Sequence, residues 1–337
     1  MKYNPHRYNC PIVTRFLDMC SMTTPHGTES YCWRNIPGRM TVDKFDNVHV
    51  FVGHSRTMFA SHLDTACSKS ERVWFDFQHK GGVVGTNGRT VLGADDKAGA
   101  TIMCRMIERR VPGWYVFFAG EEQGCIGSSA LASAWAKDAD VGLALPDVGS
   151  IDRCISFDRR GYDSIVTRQM GSRCCSDVFA QELADALHLG MEPDPSGVFT
   201  DSAQFTGLIA ECTNISVGYH NQHSTSETQD LDFLRLLADR CTRLDWDQFS
   251  TVREPMDEPE DFWWGRGYSV SSYSHDGETK EKDTTVEYDS YDDWVREDFV
   301  HGCREDGHDR EEARELLTYE GMDADEIERL ITLVYGD

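Results

Sequence analysis

The sequence predicts an α/β fold in which a mixed, mostly parallel central sheet is flanked by helices, followed by an acidic C-terminal extension. Three observations carry that reading. Strand-like and helix-like segments alternate through the first 254 residues, the pattern of a sheet covered by helices. Short apolar runs there end directly in acidic or histidine-bearing patches, as happens where strands deliver functional groups to the carboxyl edge of an open sheet. Near residue 255 the composition changes: the last 83 residues hold 26 acidic against 8 basic side chains, so most of the net charge of −25 lies there.

The elements follow from periodicity and turn residues, taken in order. Val48–Val52 and Thr57–Ser61 read as paired strands around a turn at Gly53, and Val73–Gln78 and Thr90–Leu92 as strands flanking the glycine-rich stretch with Asn87-Gly88. Lys97–Arg110 has helical spacing, Trp114–Ala119 is a buried-strand run, Ser128–Lys137 a helix and Val141–Leu145 a strand. Cys154–Phe157 and Ser164–Thr167 add strands, Ser176–Leu187 a helix, Ile215–Val217 a strand and Asp230–Leu244 a closing helix. This sets a main domain over 1–254. Residues 255–308 have the acidic, Ser- and Gly-rich composition of a linker, although Trp263, Trp264 and Trp294 make it less than fully unstructured. Residues 309–337 read as a helical hairpin divided at Gly321, with Ile327, Leu330, Ile331 and Val334 on one face of its second helix.

Composition excludes some function classes. No apolar run approaches the roughly 18 residues of a membrane span, and the polar start Met1-Lys2-Tyr3-Asn4 lacks a signal core; the expected location is the cytoplasm. The acidic balance argues against nucleic acid, whose phosphates need a basic face. The twelve cysteines are scattered without a compact framework, so reduced thiols are expected. The glycines of 81–93 form neither a strand-linked GxGxxG nor a P-loop, so no nucleotide is implied.

Five patches remain: His62-Leu63-Asp64, Gly93-Ala94-Asp95-Asp96-Lys97, Gly120-Glu121-Glu122, Phe157-Asp158 and His223-Ser224. His62 and Asp64 lie two apart on extended chain and so share a face. Asp95 sits where a strand turns into a helix, a rigid place for a carboxylate whose two oxygens reach two partners. Glu121 and Glu122 follow a strand, where neighbours diverge and can take separate tasks.

In order, HLD at 62–64, GADDKAG at 93–99, GEE at 120–122, FDRRG at 157–161 and GYHNQHS from Gly218 resemble the co-catalytic zinc exopeptidases, the superfamily of bacterial aminopeptidases, peptidase T and related carboxypeptidases. The likeness spans about residues 15–245, and Thr24–Glu29 looks like the approach to the catalytic domain in these enzymes. It implies His62, Asp95, Glu122, Asp158 and His223 as metal ligands, with Asp95 bridging, His62 and Asp158 on one ion, and Glu122 and His223 on the other. Asp64 would orient the first site and Glu121 would be the general acid/base. The cofactor implied is two Zn²⁺ per chain, with Mn²⁺ or Co²⁺ compatible with a set of imidazoles and carboxylates. His220 competes with His223, and Asp96 with Asp95. Arg159 and Arg160 read either as contacts for a substrate carboxylate or as salt bridges, and Thr200, Asp201 and Ser202 as a pocket border or a local turn.

Only 33 positions separate His62 from Asp95, and 65 separate Asp158 from His223, too few for an inserted lid domain of ordinary size. The layout is thus nearest the compact single-domain aminopeptidases, and a monomer or loose dimer is expected. The expected activity is hydrolysis of short peptides by an aminopeptidase; a carboxypeptidase, an N-acyl amino-acid deacylase, or a binding protein that uses the acidic tail for an unknown partner are the other readings.

Overall fold

The structure, a computed structural model, describes residues 10–77, 82–255, 310–311, 313–314 and 324–335. The chain divides into two units, Met1–Pro255 and Met256–Asp337.

The first unit opens with α1 (Pro11–Met19) and the short α2 (Ser30–Trp33), then β1 (Met40–Val42), β2 (Val48–Val52), β3 (Thr57–His62), β4 (Phe75–Asp76), β5 (Val83–Thr86), α3 (Ala94–Glu108), β6 (Gly113–Phe118) and α4 (Ile126–Ala136). Its second half holds β7 (Arg153–Arg159), β8 (Ser164–Val166), β9 (Arg168–Gln169), β10 (Ser172–Arg173), α5 (Asp177–Leu187), β11 (Glu192–Asp194), β12 (Glu211–Ser216), β13 (Tyr219–His220), β14 (Thr228–Asp230) and α6 (Leu231–Cys241). An eight-stranded sheet runs β1-β2-β6-β3-β7-β12-β8-β11. Its β6–β3, β3–β7, β7–β12 and β8–β11 pairings are parallel, and β1–β2, β2–β6 and β12–β8 antiparallel. The mixed, mostly parallel α/β sheet expected from the sequence is therefore present. A smaller sheet, β13-β14-β5-β4, stands apart from it.

Burial explains the central strands. Every residue of β3, β6 and β12 is buried, as parallel strands covered on both faces must be. Phe59 on β3 stacks on Tyr115 of β6 at 4.9 Å and meets Trp246 edge-on at 5.0 Å. Beneath the sheet, α3 lies so close to β7 that a Cβ on Gly99 would come within 2.2 Å of the Phe157 carbonyl oxygen.

Three expected strand features differ. β2 and β3 form no hairpin, because β6 lies between them; the fully apolar run of β6 takes the buried central place, leaving Phe51 on β2 exposed. Thr90–Leu92 is not a strand: the Leu92 N–H is taken by the Glu227 carboxylate at 2.8 Å instead of by a neighbouring strand. Val141–Leu145 is irregular, broken at Gly142 with φ 90°, and only Val141 of the run is buried.

Register brings the patches together. His62 on β3 pairs with Phe118 on β6, and Ala60 with Ser156 on β7. In parallel strands this sets His62, the residues just beyond Phe118, and Asp158 at one level of the same carboxyl edge. β12 runs parallel to β7 and leads into the segment carrying Tyr219 and His223.

In the second unit, α7 (Ala324–Tyr335) buries Ile327, Leu330, Ile331 and Val334 along one stripe. Arg314 donates to Glu328 on this helix at 2.6 Å and to Glu311 at 2.7 Å. The proposed linker's tryptophans and the turn at Gly321 lie outside the described residues. Among the described residues, no helix is long and apolar enough to cross a membrane.

Because backbone and a buried carboxylate surround Gly99, with no flexible side-chain end to yield, Gly99→Ala is expected to cost about 1–3 kcal/mol or more. Urea denaturation is the measurement; a midpoint equal to wild type would show that α3 can shift away from β7 at no cost.

Candidate metal centre

His62 ends β3 and is buried, with Nε2 3.0 Å from Asp95 Oδ1, 3.7 Å from Asp158 Oδ1 and 3.8 Å from Glu121 Oε2. Its Nδ1 lies 3.3 Å from Asp64 Oδ1 but is not aligned for a hydrogen bond. Asp95, at the start of α3, reaches the other histidine as well: Oδ2 is 3.2 Å from His223 Nε2, which is itself 3.1 Å from Glu122 Oε2. Ligand atoms of His62, Asp95 and Asp158 lie within 4.8 Å of one another, as do those of Asp95, Glu122 and His223, and those of His62, Glu121 and Glu122. Asp95 is thus common to two of these clusters, with one carboxylate oxygen directed to each histidine.

The surroundings fix these side chains. Asp64 accepts hydrogen bonds from the backbone N–H groups of Glu121 and Glu122 at 3.1 and 3.0 Å, which holds the turn after β6. At the neck of that turn, Asn47 accepts from the Ala119 N–H and donates to the Gly127 carbonyl. Asp158 accepts from the Thr200 hydroxyl at 2.6 Å and from the Tyr219 hydroxyl at 3.0 Å. Asp96 accepts from the Gly99 N–H at 3.0 Å and from the His62 N–H at 3.3 Å, so it caps α3 and ties it to β3. Glu227 is buried and accepts from the N–H groups of Leu92, Gly93 and Asp95 at 2.8, 2.7 and 3.0 Å. Lys97, also buried, donates to the Thr65 hydroxyl.

The charges are strongly coupled to burial. Burial raises the carboxyl pKa of Glu121, Glu122 and Asp158. It opposes protonation of His62 and His223, yet the carboxylates around each outweigh it and raise both imidazoles well above their ordinary value. Burial also opposes ionisation of Asp95, but His223 and His62 hold its carboxyl far below the usual range. Asp201 is buried with Oδ1 unpartnered among the described residues, and burial pushes it up to about 7; Glu227 is pushed up to about 7 for the same reason.

Other sequence candidates fall elsewhere. His220 meets the Tyr162 ring in a tilted contact at 4.9 Å and is absent from the clusters. Arg159 is buried and donates to Asp194 and Ser196. Thr200 touches Asp158, whereas Ser202 donates to the Thr213 carbonyl inside the core. Glu227, Tyr219 and Asn47 were not singled out by sequence. Glu227 follows His223 by four residues in a polar stretch, and nothing in that stretch marks an acid aimed back at residues 92–95.

No family model matches this chain, and no curated protein matches it. Solved structures do. The aminopeptidase PepT from Bacillus cereus aligns with a TM-score of 0.55 at 14% identity, over 69% of this chain and 96% of its own. A tripeptidase from Staphylococcus aureus aligns at 0.53 and 16% identity, over 69% and 96%. The fold is that of the zinc exopeptidases. The TET1 peptidase of Pyrococcus horikoshii, which can assemble into a tetrahedron or a large octahedral shell, aligns at 0.51 and 14% identity, over 68% and 98%. At these identities the likeness is one of fold, and in this chain the exopeptidase fold carries a candidate His/Asp/Glu metal site at the carboxyl edge of its sheet.

Two predictions follow from this geometry. Glu227→Ala leaves three backbone N–H groups without their acceptor, at a cost of about 1–3 kcal/mol for an unsatisfied buried group. A divalent metal held by the cluster is expected to bind about 10–100-fold more weakly in this variant, since the substitution loosens the backbone under Asp95. Competition titration against a chromogenic chelator reads this; unchanged affinity would make Glu227 a purely structural residue.

The second concerns pH. A carboxyl raised to about 7 in the fold stabilises below its ordinary pKa of about 4 and loses that contribution as pH rises through about 7. The raised histidines act in the same direction, while the lowered Asp95 contributes constantly above about pH 4. In chelator, the melting temperature is therefore expected to fall between about pH 6 and pH 8. A rise over that interval would contradict the upward shift of these buried carboxyls and histidines.

Proposed function

We propose that this chain is a zinc-dependent exopeptidase, an aminopeptidase that cleaves short peptides with a free amino terminus. The observation that carries the reading is the Asp95 carboxylate, with one oxygen 3.0 Å from His62 and the other 3.2 Å from His223. The residues fit a pair of divalent cations. Glu122 Oε1 is buried with no hydrogen-bond partner among the described residues, and several buried or partly buried carboxylates face one another, a charge density that bound cations would offset. Imidazole and carboxylate donors without thiolate suit zinc.

His62, Asp95 and Asp158 would hold one ion, and Asp95, Glu122 and His223 the other. When bound, the ions polarise the scissile carbonyl and lower the pKa of the attacking water. The chain's own residues do the rest. Glu121 shares one of the three candidate groups, with His62 and Glu122, but not the two built on Asp95; its Oε1 accepts from the Cys125 thiol at 3.6 Å and its Oε2 lies 3.8 Å from His62 Nε2. Burial raises its pKa, which suits a group that takes a proton from water and returns it to the leaving amine. Asp64 holds the Glu121 and Glu122 backbones, and Thr200 and Tyr219 hold Asp158. The choice of an aminopeptidase is supported by the matching aminopeptidase and tripeptidase structures and by the absence of room for an inserted domain between the motifs.

Glu121→Gln is expected to retain zinc while turnover of a tripeptide falls by about 10²–10⁴. Release of free amino acid and bound zinc are measured on the same sample. Turnover close to wild type would remove Glu121 from the mechanism, and activity of the wild type on N-acylated peptides alone would replace the aminopeptidase reading with a deacylase.

A further inference from the structure

A second histidine–carboxylate pair lies beside the metal cluster and belongs to none of its groups. Residues 25–28 form a tight turn, closed by the Thr28 N–H donating to the Pro25 carbonyl at 3.0 Å, with Gly27 at φ 88°. The positive φ is glycine's to supply, and it leaves His26 at the tip. Two bonds pin the approach to this turn onto the site. The Thr24 hydroxyl donates to the carbonyl of Leu63, between His62 and Asp64, at 2.7 Å, and the Thr65 N–H donates to the Thr24 carbonyl at 2.9 Å.

The His26 ring consequently rests on Gly120, the residue before Glu121. A Cβ on Gly120 would lie 2.9 Å from His26 Nδ1 and Cε1, and Gly120 itself has φ 69°. Nδ1 is 2.7 Å from Oε1 of Glu29, whose side chain is 7% exposed, whereas that of His26 is 39% exposed. One nitrogen is thus committed to a buried carboxylate, which fixes the ring. The other is not engaged by Glu29, on a partly exposed ring beside the turn that carries Glu121 and Glu122.

We propose that His26 is a substrate-binding residue, held in orientation by Glu29, whose Nε2 hydrogen-bonds a main-chain polar group of the bound peptide. This rests on the peptidase reading above. An imidazole beside this crowd of carboxylates, with one nitrogen on Glu29, presents its second ring nitrogen in a set direction. The simpler role, satisfying the buried Glu29 with a hydrogen bond, needs only a donor in the place of Nδ1, which Gln could supply.

The test uses full-length Glu121→Gln protein loaded with zinc, so that binding is read without turnover. Calorimetric affinity for a free-amino tripeptide is compared with that of the same protein carrying His26→Ala or His26→Gln, with zinc content and melting temperature measured in parallel. The expected result is affinity weakened about tenfold in both, roughly 1.4 kcal/mol, at unchanged zinc content. Equal affinity in the His26→Ala protein overturns the proposal, as does full restoration by Gln, which would make the pair structural. If the tripeptide binds none of the proteins, the peptidase reading fails and the inference falls with it, an outcome distinct from equal binding by all.

Discussion

The site is organised by one constraint: a single carboxylate, Asp95, must face two histidines on different segments at once. Asp95 can do so only if the chain entering α3 is fixed from several sides. Glu227 grips the N–H groups of residues 92, 93 and 95, Asp96 caps the helix and reaches back to the His62 backbone, and Gly99 lets α3 approach β7. The parallel register of β3, β6 and β7 then supplies His62, the Glu121–Glu122 turn and Asp158 at the same edge. Each support acts on backbone, leaving the oxygens of the carboxylate free for the centre.

This arrangement opposes the ordinary preference of a folded chain. Carboxylates brought together away from water repel one another and resist ionisation, and a buried charge left without a partner is strongly destabilising. The chain meets the problem with two imidazoles, with hydroxyls from Thr200 and Tyr219 on Asp158, and with backbone N–H groups on Asp64. The remaining demand for positive charge is what bound cations answer.

Much of this was legible in the residues, for reasons that differ by feature. β6 was visible because its run Gly113–Phe118 is apolar throughout, whereas β12, Glu211–Ser216, is largely polar and only its end at Ile215 fell within the expected strand Ile215–Val217. The carboxyl-edge position of His62, Glu121 and Asp158 followed from the strand runs of β3, β6 and β7, whereas the run before Asp95, Thr90–Leu92, is not a strand. What stayed hidden depends on long-range placement. The neighbours of β2 and β3 could not be read from either strand, because β6, more than fifty residues further along, separates them. Likewise Glu227 acts on residues more than 130 positions away, and Asn47 on a turn more than 70 away. Such supports carry no local signature, since one buried acid or amide resembles another until the fold supplies its partners. His223 was separable from His220 only by motif, and the structure gives the geometric difference: one imidazole meets Asp95 and Glu122, the other packs on Tyr162.

The central claim, that Asp95 serves two metal positions at once, is tested most directly by elemental analysis of zinc in Asp95→Ala and His223→Ala beside wild type, each confirmed folded. The account predicts about two ions per chain in wild type, loss of one with His223, and loss of both with Asp95. Retention of one or more tightly held ions by Asp95→Ala would contradict it, since the two positions would then be independent.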